Sequence, residues 1–145
     1  MERRDVVLAA LAAGKGAPHQ PVQVQKMLFL LDKEIGPALG GPHFDFTPYA
    51  YGPFDASVYD ELDGLAAAGL VEIDSRGGTK RRTYMLTPSG QAEGDRLLNG
   101  LHASVSEYIR ALSEWLRSLT FDQLVSTIYK LYPDMQARSV FRGKV

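Results

Sequence analysis

The chain has no cysteine, which excludes disulfide bridges, thiolate chemistry and zinc sites built on sulfur. It also lacks any run near the ~18 uninterrupted apolar residues that a membrane-spanning helix requires. The apolar stretch in MERRDVVLAALAAGKG is short, and acidic Glu2 and Asp5 interrupt its basic flank. It reads as an amphipathic helix and not as a signal peptide, so a cytoplasmic protein is expected. Histidines are few, and His19, His43 and His102 stand alone, with no second ligand at metal-binding spacing on a shared helix face. Gly14-Lys15-Gly16 and Gly78-Thr79-Lys80 lack the spaced glycines and following hydroxyl residue of a phosphate cradle, and Ser89 has no identifiable base. No catalytic residue, metal or cofactor is therefore expected. Internal repeats and low-complexity segments are missing as well.

What is present suffices for a core. At 145 residues, 45% hydrophobic and 23% charged, the chain fits one ordinary domain that buries about two-thirds of its unfolded surface. The net charge of −1 conceals an asymmetry: residues 1–75 carry eleven acidic and five basic side chains, residues 76–145 six and eleven. That imbalance predicts two electrostatically different faces.

Residues 44–70, FDFTPYAYGPFDASVYDELDGLAAAGL, are the stretch around which the rest is expected to pack. Before it, Val6, Val7, Leu8 and Leu11 predict a helix over residues 4–13. Val24, Met27, Leu28, Leu31 and Ile35 predict a second, widened by Phe29 and Leu30 and ended by Gly36 and Pro37. Phe44, Phe46, Tyr49 and Tyr51 recur at period two around Pro48, which predicts a short edge strand ending in a turn at Gly52 and Pro53. Asp55 is the expected N-cap of the next helix, with Phe54 and Tyr59 placed as a hydrophobic staple and Val58, Leu62, Leu65 and Ala66 facing inward. Residues 70–73 and 82–86 then read as a hairpin with Gly77 and Gly78 at its tip, and Thr87-Pro88 as the start of another helix.

From there Leu98, Leu101, Val105, Tyr108, Leu112, Trp115 and Leu119 recur at alternating spacings of three and four, a heptad seam broadened by Ile109 and Leu116. Thr120 and Gln123 form a capping box for a last helix carrying Phe121, Leu124, Val125, Ile128 and Tyr132, and Arg138, Arg142 and Lys144 make a basic tail. The order helix, helix, strand, helix, hairpin is that of a winged helix-turn-helix. The expected fold is therefore α+β, mainly α: a winged-helix domain over residues 1–95 and a C-terminal helical extension over residues 96–145.

The segments QKMLFLLD, PYAYGPF and VYDELDGLAAAGLVE resemble the Panacea domain of SocA-like antitoxins and the related YwgA-like winged-helix proteins, over about a third of the chain, residues 22–73. RRTYMLTPSGQ is similar to the wing strand and following helix of PadR-like and MarR-like regulators, a widely recurring pattern. The first resemblance implies a non-enzymatic regulatory module linked to toxin neutralisation or defence.

Two surfaces carry the functional expectations. Arg76, Lys80, Arg81 and Arg82 on the hairpin, with Tyr84 nearby, suit contact with phosphates or a minor groove of double-stranded DNA, as in a transcription regulator; they equally suit a solvated hairpin tip. The helix before the hairpin bears Asp55, Asp60, Glu61 and Asp63 and no cation, so its insertion into a major groove is repelled by phosphate. Those carboxylates are either a solubilising face or a docking surface for a basic partner such as a toxin. The aromatics of residues 44–59 are expected to be core and staple residues more than a ligand cage. The heptad seam packs on the winged domain or forms a homodimer interface.

Overall fold

The computed structural model describes residues 1–76 and 82–143. Among these, the protein is mainly helical α+β, with six α-helices and two small antiparallel two-stranded sheets. Its centre is made by α1 (Arg3–Ala12) and α2 (Pro21–Ile35). Residues 6–13 and 24–31 are buried without a break, the mark of helices enclosed on every side. The amphipathic stripe expected for α1 is thus too narrow, since Ala9, Ala10 and Ala12 are buried along with Val6, Val7, Leu8 and Leu11.

The α1–α2 connector does structural work that its two prolines do not announce. His19 donates its backbone N–H to Tyr84 O at 2.8 Å and accepts from Tyr84 N at 2.8 Å, an antiparallel bridge. Its ring is buried, and that burial pulls its pKa down to about 4, against a smaller opposing effect of the Ala17 carbonyl. Helix α2 ends at Gly36 as expected, and a separate 3-10 turn (Gly36–Leu39) follows and closes at Gly40, whose φ is +77°. The following loop is fastened by Asp32, whose carboxylate accepts from His43 N at 3.0 Å and Phe44 N at 2.8 Å.

The aromatic run is not one edge strand. It folds on itself as β1 (Thr47–Tyr49) and β2 (Gly52–Phe54), with Pro48 opposite Pro53. The turn therefore falls at Ala50 and Tyr51, and Gly52 and Pro53 belong to the second strand. Next to a two-residue turn, this second pair lies at a non-hydrogen-bonded site, where neither residue needs an N–H toward its neighbour. Two prolines therefore cost the ladder nothing, and the Pro53 carbonyl points outward.

Helix α3 (Ser57–Ala67) begins with Ala56 in the N-cap position, one residue after the expected Asp55. Asp55 still supplies the capping carboxylate, accepting from Ser57 N at 2.9 Å and Ser57 Oγ at 2.7 Å. Phe54 and Tyr59 meet at 5.8 Å between ring centroids, and Val58, Leu62 and Leu65 are buried, with Ala66 only half-buried. Strands β3 (Val71–Asp74) and β4 (Thr83–Leu86) pair from Val71↔Leu86 to Asp74↔Thr83. The hairpin tip with Gly77, Gly78, Lys80 and Arg81 lies outside the described residues.

Thr87 caps α4 (Pro88–Asn99), accepting from Gly90 N, and its hydroxyl donates to Gly69 O at 2.7 Å. The expected domain boundary at residues 95 and 96 falls inside this helix, which packs along α1. The heptad run is broken after Asn99: His102 opens α5 (Ala103–Arg117) by accepting from Ser104 N. Leu98 is buried on α4, while on α5 the buried stripe is Ile109, Ser113 and Leu116. Leu101, Val105, Leu112 and Leu119 pack half-buried beside the core, and Tyr108 and Trp115 are exposed. Helix α6 (Phe121–Leu131) has the expected Thr120–Gln123 capping box. It buries Leu124, Val125, Ile128 and Tyr129, with Phe121 exposed. The tail then crosses the first hairpin: Val140 N donates to Ala50 O at 2.9 Å, Tyr129 Oη meets Ser139 Oγ at 2.6 Å, and Phe141 packs on Phe121 and Tyr129.

Glycine sets the α1–α4 distance. A Cβ on Gly94 would lie 2.5 Å from Ala12 Cβ and 2.9 Å from Leu8 O, inside any allowed contact. Gly94→Ala is expected to cost about 1–3 kcal/mol through overpacking, measured by urea unfolding. Gly64→Ala, on α3 with nothing within 4 Å of the new Cβ, should instead stabilise by about 0.5–1 kcal/mol.

Candidate functional site

The two predicted surfaces sit side by side. On the hairpin, the Arg76 side chain is 92% exposed and clasps Asp74 through Nε at 3.1 Å and Nη2 at 2.8 Å. That clasp holds the Asp74 carboxyl at about 2. Arg82 lies beside Tyr84, with Asp63 of α3 close enough to hold its charge further. Lys80 and Arg81 lie outside the described residues. On α3, Asp60 and Asp63 are exposed and Glu61 is half-buried. Asp55 differs from them because both of its oxygens are occupied: Oδ1 by Ser57 and Oδ2 by Asp45 N at 2.8 Å. Burial works to raise that carboxyl, but the hydrogen bonds from Ser57 and Asp45 outweigh it and the pKa is lowered. Asp55 is a fixed cap, whereas Asp60, Glu61 and Asp63 keep their carboxylates toward the outside.

Neither surface contains the most unusual side chain. Lys26, in the middle of α2, is 4% exposed. Its Nζ donates to the outward Pro53 carbonyl at 3.2 Å, and no carboxylate lies within 4.0 Å of it among the described residues. Burial lowers its pKa to about 7. Gly52 is tight against the same amine, a Cβ there falling 3.7 Å from Lys26 Nζ and 3.3 Å from Tyr129 Cε1. The neighbouring Gln25 clasps the backbone of Asp55, accepting from its N and donating to its O, each at 3.0 Å, and also hydrogen-bonds Tyr59.

Lys26 forms part of the wall of a cavity of about 270 Å³ whose other walls include Tyr49, Tyr51, Phe54, Tyr59 and Phe121. Three of those rings are exposed at its mouth: Tyr49, Tyr51 and Phe121, the last two edge-to-face at 5.2 Å. By contrast, Phe44 and Phe46 pack half-buried against the core, Phe46 edge-on to Phe29 at 5.5 Å. The aromatic run is therefore divided between core and cavity.

Sequence reasoning missed Lys26, because apolar periodicity has no place for a cation inside a buried helix. The available signal was its position on one helix face with Val22 and Phe29, four and three residues away. Among the described residues no group of three or more His, Asp or Glu is arranged to hold a metal, and no helix is long and apolar enough to cross a membrane.

No family model matches the chain and no curated protein matches it. The Panacea resemblance thus rests on QKMLFLLD, PYAYGPF and VYDELDGLAAAGLVE themselves. These three segments meet around the cavity, contributing Gln25 and Lys26, residues 49–52 with Phe54, and Tyr59.

Lys26 gives a signed pH dependence. With a folded pKa near 7 against 10.5 unfolded, the unfolded chain binds the extra proton between those values, so stability rises with pH across that window. The titratable groups facing it are the tyrosines of β1, the turn and α3, and Tyr129 of α6, all retained in a Lys26→Met variant. That variant relieves a penalty on the order of 4 kcal/mol at pH 7 and loses one hydrogen bond worth about 1 kcal/mol. It should be more stable than the parent by about 3 kcal/mol at pH 7 and level with it near pH 10, read from paired urea titrations. A pH-independent difference would show that Lys26 is charged and paired.

Proposed function

We propose that the chain is a non-enzymatic winged-helix regulatory protein that associates with double-stranded DNA through its wing. The observation that carries this reading is the His19–Tyr84 bridge. It lays the α1–α2 connector beside β4, giving the order helix, bridging segment, helix, helix, hairpin, in which a single bridging residue takes the place of a first strand beside the wing. The aromatic hairpin β1–β2 is then an insertion between the second and third helices of the motif, and α4 to α6 are its C-terminal extension. Of the seam residues, Leu98 is buried and Leu101, Val105, Leu112 and Leu119 pack against the core, so the proposed homodimer face is reduced to the exposed rings of Tyr108 and Trp115 on α5.

The mode of contact follows from charge. Helix α3 occupies the place of the groove-reading helix, yet its outer face offers Asp60, Glu61 and Asp63, which phosphate repels. The cations suited to phosphate are Arg76, Lys80, Arg81 and Arg82. An exposed ion pair such as Arg76–Asp74 is screened by solvent, so it does not withhold Arg76 from a phosphate. A second reading is favoured by the same carboxylates: an antitoxin-like module whose α3 docks a basic protein, as the Panacea resemblance implies.

Fluorescence anisotropy against the protein's own promoter region and a random duplex, at two salt concentrations, distinguishes them. The DNA reading expects salt-sensitive binding that favours the promoter, with Arg76→Glu and Arg82→Glu together weakening it at least tenfold and flattening the salt slope by about two. Absence of binding at low salt would remove it. The protein-docking reading would then be tested by whether Asp60→Lys with Glu61→Lys releases the bound partner.

A further inference from the structure

We propose that the cavity between α2, the β1–β2 hairpin and α6 binds a small carboxylate carrying an aromatic or branched apolar body, with the Lys26 ammonium as its counter-charge. Three observations converge on this ligand class, and none depends on the winged-helix reading. The first is the amine itself. Lys26 has three N–H donors, and among the described residues Pro53 O is the hydrogen-bond acceptor it meets, with no carboxylate within 4.0 Å. A buried ammonium without an anion is costly, and entry of one anion supplies both charge and acceptors. Its depressed pKa is the same fact seen from the proton's side: burial disfavours the charge that an anionic ligand would restore.

The second observation is the wall. The rings of Tyr49, Tyr51, Phe54, Tyr59 and Phe121 surround the opening, and three of them stay exposed at the mouth although they are large and apolar. Gln25, the other polar side chain on the α2 side, is a neutral amide held by Asp55 and Tyr59. One charged donor amid aromatic faces selects a ligand with one anionic end and an apolar remainder. The third is size. A volume of about 270 Å³ falls just below the about 300 Å³ at which drug-sized ligand sites begin, so the occupant is a compact single-ring or branched acid.

The fold explains how the amine is kept available. Gly52 leaves the space beside Lys26 Nζ that any side chain would invade. The turn bearing Tyr51 is pinned from outside by Val140 N on Ala50 O, so the mouth is held in place in the absence of ligand.

The test uses the full-length chain labelled with ¹³Cε lysine, titrated with benzoate, phenylacetate and isovalerate, each beside its neutral amide. The expected result is that at least one acid saturably shifts the Lys26 resonance and raises its titration midpoint by at least one pH unit. The same acid should bind at least tenfold more tightly than its amide, and by linkage the one-unit rise is itself a tenfold tighter binding of that acid to protonated than to neutral Lys26. Lys26→Met should remove the acid-over-amide preference, and its folding is safeguarded by the stability gain expected above. Tyr51→Ala, which leaves the amine in place, should weaken acid and amide alike by threefold or more. The proposal is overturned if no acid in the panel moves Lys26 at 20 mM, if acid and amide bind equally, or if Lys26→Met retains the preference.

Discussion

Two polar side chains in the buried stretch of α2 must find partners, and much of the molecule is arranged by that requirement. Gln25 and Lys26 are 2% and 4% exposed, and a buried donor or acceptor left unsatisfied costs about 1–3 kcal/mol. Gln25 closes both backbone positions of Asp55, and Lys26 closes the carbonyl of Pro53. These bonds fix the end of β2 and the entry to α3 against α2 at consecutive residues. The proline pair in the small sheet is compatible with this, since it leaves the Pro53 carbonyl free to face the helix. Asp55, set in place by Gln25, in turn presents its side chain to Ser57 and starts α3. Apolar packing alone would tolerate sliding of the hairpin along α2. These directional bonds do not.

The second half of the chain is joined to this centre by close backbone approach instead. Gly94 lets α4 lie on Ala12 and Leu8 of α1, and Gly90 fits against the carbonyl of Leu70, where a Cβ would come within 1.9 Å. Thr87 adds a hydroxyl bond to Gly69 O, and Gln91 Nε2 donates to Ala12 O at 3.1 Å. The turn after α3, the start of α4 and the end of α1 are thus one packed unit. Helix α5 then lies over α2 and α6 over β2, and the tail returns to the aromatic hairpin through Ser139 and Val140. The α4 helix belongs to the core as much as to whatever follows it.

What the sequence made legible is what local chemistry decides. Thr87 and Thr120 cap as their neighbours predict, Phe54 meets Tyr59, and the apolar spacing of α2, α3 and α6 finds their buried faces. The illegible parts are those where two patterns compete or none exists. Leu101 continues the heptad across Gly100 and His102, yet His102 caps the helix beyond it, and a glycine in a helix interior costs about 1 kcal/mol. The break wins, and α5 is free to turn Ile109, Ser113 and Leu116 inward in place of Tyr108 and Trp115. The period-two aromatics mark extended backbone but not where it reverses. Neither the His19–Tyr84 bridge nor the Lys26–Pro53 bond leaves a local trace, because each joins residues far apart in the chain.

The charge asymmetry between the halves also acquires a different meaning in three dimensions. Arg82, from the basic half, lies near Asp63 from the acidic half, and Arg76 holds Asp74 across the same boundary. The two signs are therefore interleaved at the junction of α3 and the hairpin instead of occupying opposite faces. They differ in how they are held. Arg76 is a long side chain on an exposed pair, which exchanges partners at little cost. Asp60 and Asp63 are short side chains on a helix anchored by Val58, Leu62 and Leu65, so their carboxylates cannot withdraw from an approaching anion. A polyanion can recruit the arginines only from an angle that keeps its phosphates off α3, beyond roughly the ~10 Å over which 0.1 M salt screens the repulsion. The geometry of any nucleic-acid contact is thus constrained more by these fixed negative charges than by the exposed Arg76.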